Sequence, residues 1–153
     1  LKKRRGFMQI AILHLLKEGS MHGYQIMKEL ESRSGGLYSA SAGTVYPALQ
    51  ELTEKEMIGL DPDSDKKTYE IKEKGNEKLE EFATRREGEF WEEWKARWVW
   101  QNSDEATMLK SALDLWEVEI HKAVKQSRKS TEKTTKLIEF VKEITERLQK
   151  ENR

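Results

Sequence analysis

Val45, Ala48, Leu49 and Leu52 recur at i, i+3, i+4 and i+7 within residues 41–57, SAGTVYPALQELTEKEM. That spacing admits a helix with a single narrow apolar stripe, able to dock on a small core along one line only. The other side of such a helix is then committed to solvent or to a partner. Gly43, Pro47 and Gln50 point away from the stripe and Tyr46 sits at its flank, with Ser41 placed to act as the N-cap. This outward surface is compact, weakly charged and rich in hydrogen-bonding groups, as a helix entering a DNA major groove requires. Gln50 matches the N6/N7 edge of adenine, and Tyr46 can reach a phosphate or a thymine methyl. The first-turn N–H groups near Gly43 and Thr44 suit a phosphate oxygen. An ordinary amphipathic core helix would carry the same stripe, so the flanking segments decide the reading.

Residues 7–16, FMQIAILHLL, are apolar on nearly every side, which fits a short helix buried among others. Gly19 ends it, and Ser20 is placed to cap a second helix through MHGYQIMKELESR, with Ile26, Met27 and Leu30 facing inward. Gly35 and Gly36 break the chain before residue 41. After Ile58 and Gly59 the period changes from helical to alternating. LDPDSDKKTYEI at 60–71 predicts a two-stranded hairpin with Leu60 on one strand, Tyr69 and Ile71 on the other, and the turn at 63–66. Three helices followed by such a hairpin make a winged helix-turn-helix. Lys66 and Lys67 at the tip are candidate phosphate contacts, or simply lysines on a solvated turn, and Asp61, Asp63 and Asp65 lie close by.

From Glu73 onward the pattern is helical throughout. Leu79, Phe82, Ala83, Phe90, Trp94 and Trp98 trace one face of a helix reaching to about Gln101. Ser103 or Asp104 can cap the next, which carries Leu109, Ala112, Leu113, Trp116, Ile120 and Val124. A last seam runs through Leu137, Phe140, Val141, Ile144 and Leu148. The expected fold is therefore mainly α. A winged helix-turn-helix domain spans residues 1–75 and a long-helix module spans 76–153. Such stripes can bury one another within the chain, but long helices attached to a small DNA-reading domain pack more economically against a second copy, and a homodimer suits two-fold DNA half-sites. Trp91, Trp94 and Trp98 at helical spacing ordinarily fill a core, here that of the dimer. The functional alternative is that Trp94 or Trp98 lines a cavity at the dimer interface where a flat aromatic effector stacks.

Composition narrows the function. Lys plus Arg and Asp plus Glu number 28 each, so no global positive field exists and any affinity for DNA must come from local patches. The absence of cysteine removes thiolate catalysis and Cys-based metal sites. His14, His22 and His121 lie on separate elements without zinc spacing and are read as packing or surface residues, so neither metal nor cofactor is expected. No phosphate-binding loop, dinucleotide fingerprint or nucleophile elbow occurs, and Glu89, Glu92 and Glu93 read as a solvated helix flank; no enzyme is expected. No apolar run is long enough for a membrane, and LKKRR at the start is followed by no cleavage site, so a soluble cytoplasmic protein is expected, with a few native residues preceding Leu1.

Three blocks in order give the chain a resemblance to the PadR family of transcriptional regulators. They are LHLLKEGSMHGYQI at 13–26, SAGTVYPALQELTEKEMIGL at 41–60 and KKTYEIKEKGNEKL at 66–79. The resemblance covers roughly the first half of the chain; the remainder shares only its helical, tryptophan-bearing character. It implies a dimeric winged-helix repressor that binds an inverted-repeat operator on double-stranded DNA and is released by a small, often aromatic molecule. By position it marks Tyr24 in the HGY block, Ser41, Gly43, Thr44 and Tyr46 in the SxGTxY block, and Lys67 and Tyr69 in the basic wing as contacting DNA or supporting those contacts. Three departures stand out: Glu56 replaces a common glycine, Lys72 replaces a threonine that would cap the following helix, and the wing turn is short and acidic. The competing class is a helical interaction or scaffold protein that kept a winged-helix fold without reading DNA.

Overall fold

A computed structural model describes residues 2–82 and 87–153. Two compact units, residues 1–102 and 103–153, divide the chain. In the first, helices α1 (Lys2–Glu18), α2 (Gly23–Arg33) and α3 (Ala42–Glu54) precede strands β2 (Ile58–Leu60) and β3 (Thr68–Ile71) and helices α4 (Glu73–Phe82) and α5 (Glu87–Gln101). A two-residue strand β1 (Met21–His22) precedes α2. The sheet is antiparallel in the order β1-β3-β2, with Leu60 opposite Tyr69, Ile58 opposite Ile71 and His22 opposite Thr68. This is a winged helix-turn-helix with a third, short strand that the sequence does not predict.

α1 is the hub. Ala11, Ile12, Leu13 and Leu15 are wholly buried, on a helix apolar nearly all round, and its neighbours are α2, α3, α4 and β3. It begins well before residue 7, because the preceding lysines and arginines are good helix formers. Val45, Leu49 and Leu52 of α3 are also fully enclosed, at about 1.5–3 kcal/mol per side chain.

The second helix corrects one expectation. Ser20 does not cap it; His22 does. His22 Nδ1 accepts the Gln25 N–H (3.1 Å), and the Gln25 amide oxygen accepts the His22 N–H (3.0 Å), a reciprocal box that a sequence reader expects from Ser or Thr. Gly35 and Gly36 take φ of +71° and +81°, ending α2 as expected.

The helix expected over 73–101 is described as two segments, α4 and α5, on either side of residues 83–86; Ala83 lies outside the described residues. The tryptophans lie within this unit. Trp94 is fully buried and its indole N–H donates to the Leu30 carbonyl (3.1 Å), while Trp91 and Trp98 pack against the same core. Tyr38 stacks on Trp98 with ring centroids 4.2 Å apart, and Phe7 on Trp94 at 5.4 Å. Indoles assigned by periodicity to a face between protomers therefore fill one protomer's own core. His14 stacks on Phe90, 4.2 Å between centroids.

The second unit is a helical hairpin of α6 (Asp104–Ser127) and α7 (Thr131–Glu151). Ser103 caps α6 by accepting the Ala106 N–H, and Ser130 caps α7 by accepting the Lys133 N–H. The two helices are separated within the polar stretch at 126–136. The Thr134 hydroxyl closes the turn by donating to the Ser127 carbonyl (2.7 Å).

Glu56, just past α3, holds φ of +59°, the left-handed region that penalises any residue with a Cβ. Its carboxylate is held by Lys74 (2.6 Å), and that hydrogen bond lowers the Glu56 carboxyl below its ordinary range. The pair is exposed and contributes little, so relief of the backbone should dominate. Glu56→Gly is expected to raise the melting temperature; a thermal melt showing a fall would mean that the Lys74 contact outweighs the strain.

Candidate nucleic-acid interface

The surface left over by α3's single stripe is continuous. Ser41, Gly43, Thr44, Tyr46, Pro47 and Gln50 are all exposed, Tyr46 at 48%. Ser41 adopts the extended N-cap conformation (φ −101°, ψ 152°), but its hydroxyl pairs with the Thr44 hydroxyl (3.0 Å) rather than with a helix N–H. Its carbonyl accepts the Thr44 and Val45 N–H groups, and among the described residues no acceptor is found for the Gly43 N–H. A first-turn N–H left open to solvent, without a Cβ beside it, is what an anion at a helix N-terminus uses. Pro47 has no N–H to return to the Gly43 carbonyl, so this turn is polar on its exposed side without carrying charge.

Gln50 is placed outward as expected, with its amide nitrogen donating to Glu54 (3.1 Å). That bond would be exchanged on reading a base edge. Glu51, one residue on, accepts from Lys55 (2.9 Å). The acidic groups of this helix therefore lie toward its C-terminal half, away from the turn at Gly43 and Thr44.

Tyr24, 59% exposed, stands on the first turn of α2 with the Lys28 ammonium 5.4 Å from its ring centre. Lys28 is absent from the sequence-derived candidates, although its i+4 spacing from Tyr24 gave a usable signal. The ring of Tyr46 lies against Gly23, so the HGY and GTVY blocks meet directly. At the wing, Lys66 and Lys67 are exposed on the turn. Asp61 is engaged in building that turn, its carboxylate accepting the Asp63 N–H (2.9 Å), and Ser64 pairs with Thr68 across it (2.9 Å). Tyr69 is half-buried on β3 between Met21 and Leu60, which makes it a support for the wing more than a free contact.

Between α3 and α5 lies a cleft of about 750 Å³, lined by Phe7, Tyr38, Trp94, Arg97 and Trp98 together with Gly43, Thr44, Pro47 and Gln50 of the exposed α3 face. The Trp98 indole nitrogen is buried without a hydrogen-bond partner. Burial raises the Tyr38 phenol above its ordinary pKa, keeping it a neutral donor beside Trp98. Trp94 contributes to the same cleft from inside the core, with its N–H already given to Leu30.

Residues 12–81 match the family model described as the transcriptional regulator PadR-like family, a span that takes in the capped α2, α3 and the wing. Over this span the chain is PadR-like. It is 32% identical over 138 residues to the transcriptional regulator YqjI of Escherichia coli, covering 89% of this chain and 66% of that protein. It is 29% identical over 83 residues to the negative transcriptional regulator PadR of Bacillus subtilis, covering 51% of this chain and 46% of that one. The chain thus spans less than two thirds of the length of either relative. A crystal structure of B. subtilis PadR with operator DNA aligns at 29% identity over 51% of this chain and 47% of that one, with a TM-score of 0.43. The PadR-like family is one of regulators and not of enzymes. No described helix is long and apolar enough to cross a membrane.

Within this PadR-like frame the His22 box fixes where α2 starts and so where Tyr24 stands. His22→Ala is expected to cost about 1 kcal/mol of stability, and His22→Asn, which keeps a side-chain acceptor, to restore most of it. A wild-type denaturation midpoint for His22→Ala would show that the box contributes nothing.

Proposed function

We propose that this chain is a cytoplasmic DNA-binding transcriptional regulator, a repressor that binds an inverted-repeat operator as a homodimer and is released by a small aromatic effector. The observation that carries the reading is the exposed, nearly uncharged face of α3 from Ser41 to Gln50, flanked by Tyr24 and by the lysines of the wing. Its supports are the PadR-like match over residues 12–81 and the negative regulation recorded in the name of the B. subtilis relative.

The dimer is argued from the α6–α7 hairpin. α7 has no buried residue, and Leu109, Leu113, Trp116 and Val124 on α6 with Phe140, Val141 and Leu148 on α7 are each between 41% and 57% exposed. Two such amphipathic helices leave apolar stripes of a size that isolated soluble proteins rarely carry, and a second copy is the partner that also matches operator symmetry. The effector is argued from the cleft between α3 and α5. A flat ring against Trp98 and Tyr38 would also meet Gly43, Thr44, Pro47 and Gln50, residues of the face proposed to read DNA.

A gel-shift titration with the DNA upstream of its own gene tests the proposal. Nanomolar binding is expected, weakening steeply with salt and falling by about tenfold or more for Tyr46→Ala. Equal affinity for unrelated DNA of the same length would instead support a scaffold protein that kept the fold, a reading that the neutral net charge and acidic wing make worth the comparison. A planar aromatic acid should release the DNA and quench tryptophan fluorescence, and Trp98→Phe should weaken both effects. Release undiminished in that variant would remove Trp98 from the effector site.

A further inference from the structure

Gly23 stands where three DNA-facing elements meet. The residue before it, His22, pairs with Thr68 where the wing turn enters β3 and caps α2. The residue after it, Tyr24, is exposed. The ring of Tyr46, from α3, lies across Gly23 itself: a Cβ built there would fall 2.8 Å from the Tyr46 hydroxyl oxygen and 2.9 Å from its Cε1 and Cζ atoms. Those separations lie well inside van der Waals contact, so a side chain at 23 and the present position of the Tyr46 ring exclude each other.

Nothing else at this position asks for glycine. Gly23 is the first helical residue of α2 and is not among the residues with positive φ. Helix propensity favours alanine there. The three nearest atoms all belong to the outer half of one partly exposed side chain, so an added methyl group would displace the tyrosine rather than the backbone.

We propose that Gly23 is a positioning residue for DNA recognition. It is the floor on which the Tyr46 ring rests, it sets the direction in which the phenol is presented to the duplex, and through His22 and Thr68 it keeps that direction in register with the wing. The proposal rests on the DNA-binding reading given above. Its mechanism is steric: a Cβ at 23 turns the ring outward, and a group that reads a base edge or phosphate within hydrogen-bond distance loses its partner when moved by about an ångström.

A double-mutant cycle of Gly23→Ala and Tyr46→Ala tests it, read by operator affinity at low salt, where nonspecific attraction keeps the variants on scale, and by melting temperature. Gly23→Ala alone is expected to weaken operator binding about tenfold, equivalent to losing one specific contact, while the melting temperature holds or rises. In the Tyr46→Ala background the same change should cost no affinity, because the ring it displaces is gone. An equal loss in both backgrounds would overturn the proposal, as would wild-type affinity for Gly23→Ala. A wild-type protein that binds no operator would sink the functional reading and the recognition role together. In that event a non-additive melting cycle would still establish the contact between residues 23 and 46, and an additive one would reject the contact too.

Discussion

The docking of α3 through one line of side chains, Val45, Leu49 and Leu52, is the constraint from which the exposed face of that helix follows. Three wholly buried residues suffice because α1 offers them a helix apolar nearly all round, closed from the far side by Leu79 of α4 and Trp94 of α5. A wider stripe would have pulled Tyr46, Pro47 or Gln50 into the core. A narrower one would have left the helix unanchored. The indole N–H of Trp94 given to the Leu30 carbonyl serves the same end, since it lets a large aromatic fill the core without leaving a polar atom unpaired.

A chain of zero net charge could bind DNA only by arranging its charges locally. The acidic residues of the wing are partly consumed in shaping it: Asp61 holds the Asp63 N–H, which leaves Lys66 and Lys67 at the outer side of the turn. On α3 the glutamates lie toward the C-terminal half, where Glu51 is matched by Lys55 and Glu54 by the Gln50 amide. The N-terminal turn carries no acid and an open Gly43 N–H, so the helix presents its electropositive end.

The parts legible from sequence were those governed by period. The stripe of α3, its cap position at Ser41, the strands through Leu60 and through Tyr69 and Ile71, and a cap at Ser103 or Asp104 follow from local chemistry, and each is found, with Ser103 as the cap. β1 was not legible, because two residues carry no period and their pairing with Thr68 and Tyr69 is decided at long range. The His22 cap was masked by a better-known capping residue, Ser20, two positions earlier, although Gln25 three residues on was a signal for the box. Periodicity gave the tryptophans a face but not its partner. That the face meets α1 and α2 of the same protomer depends on side-chain shape and on a carbonyl at Leu30 that no pattern announces. The close approach of Tyr46 to Gly23 is likewise decided at long range, between α3 and α2.

Footprinting on the DNA that flanks its own gene addresses the central claim most directly. If α3 lies with its tyrosine and glutamine free to enter a major groove, and two copies act together, protection should fall on two inverted half-sites whose centres lie about one helical turn, or a multiple of it, apart on one side of the duplex. Protection of a single unsymmetrical patch, or uniform protection without sequence preference, would contradict it.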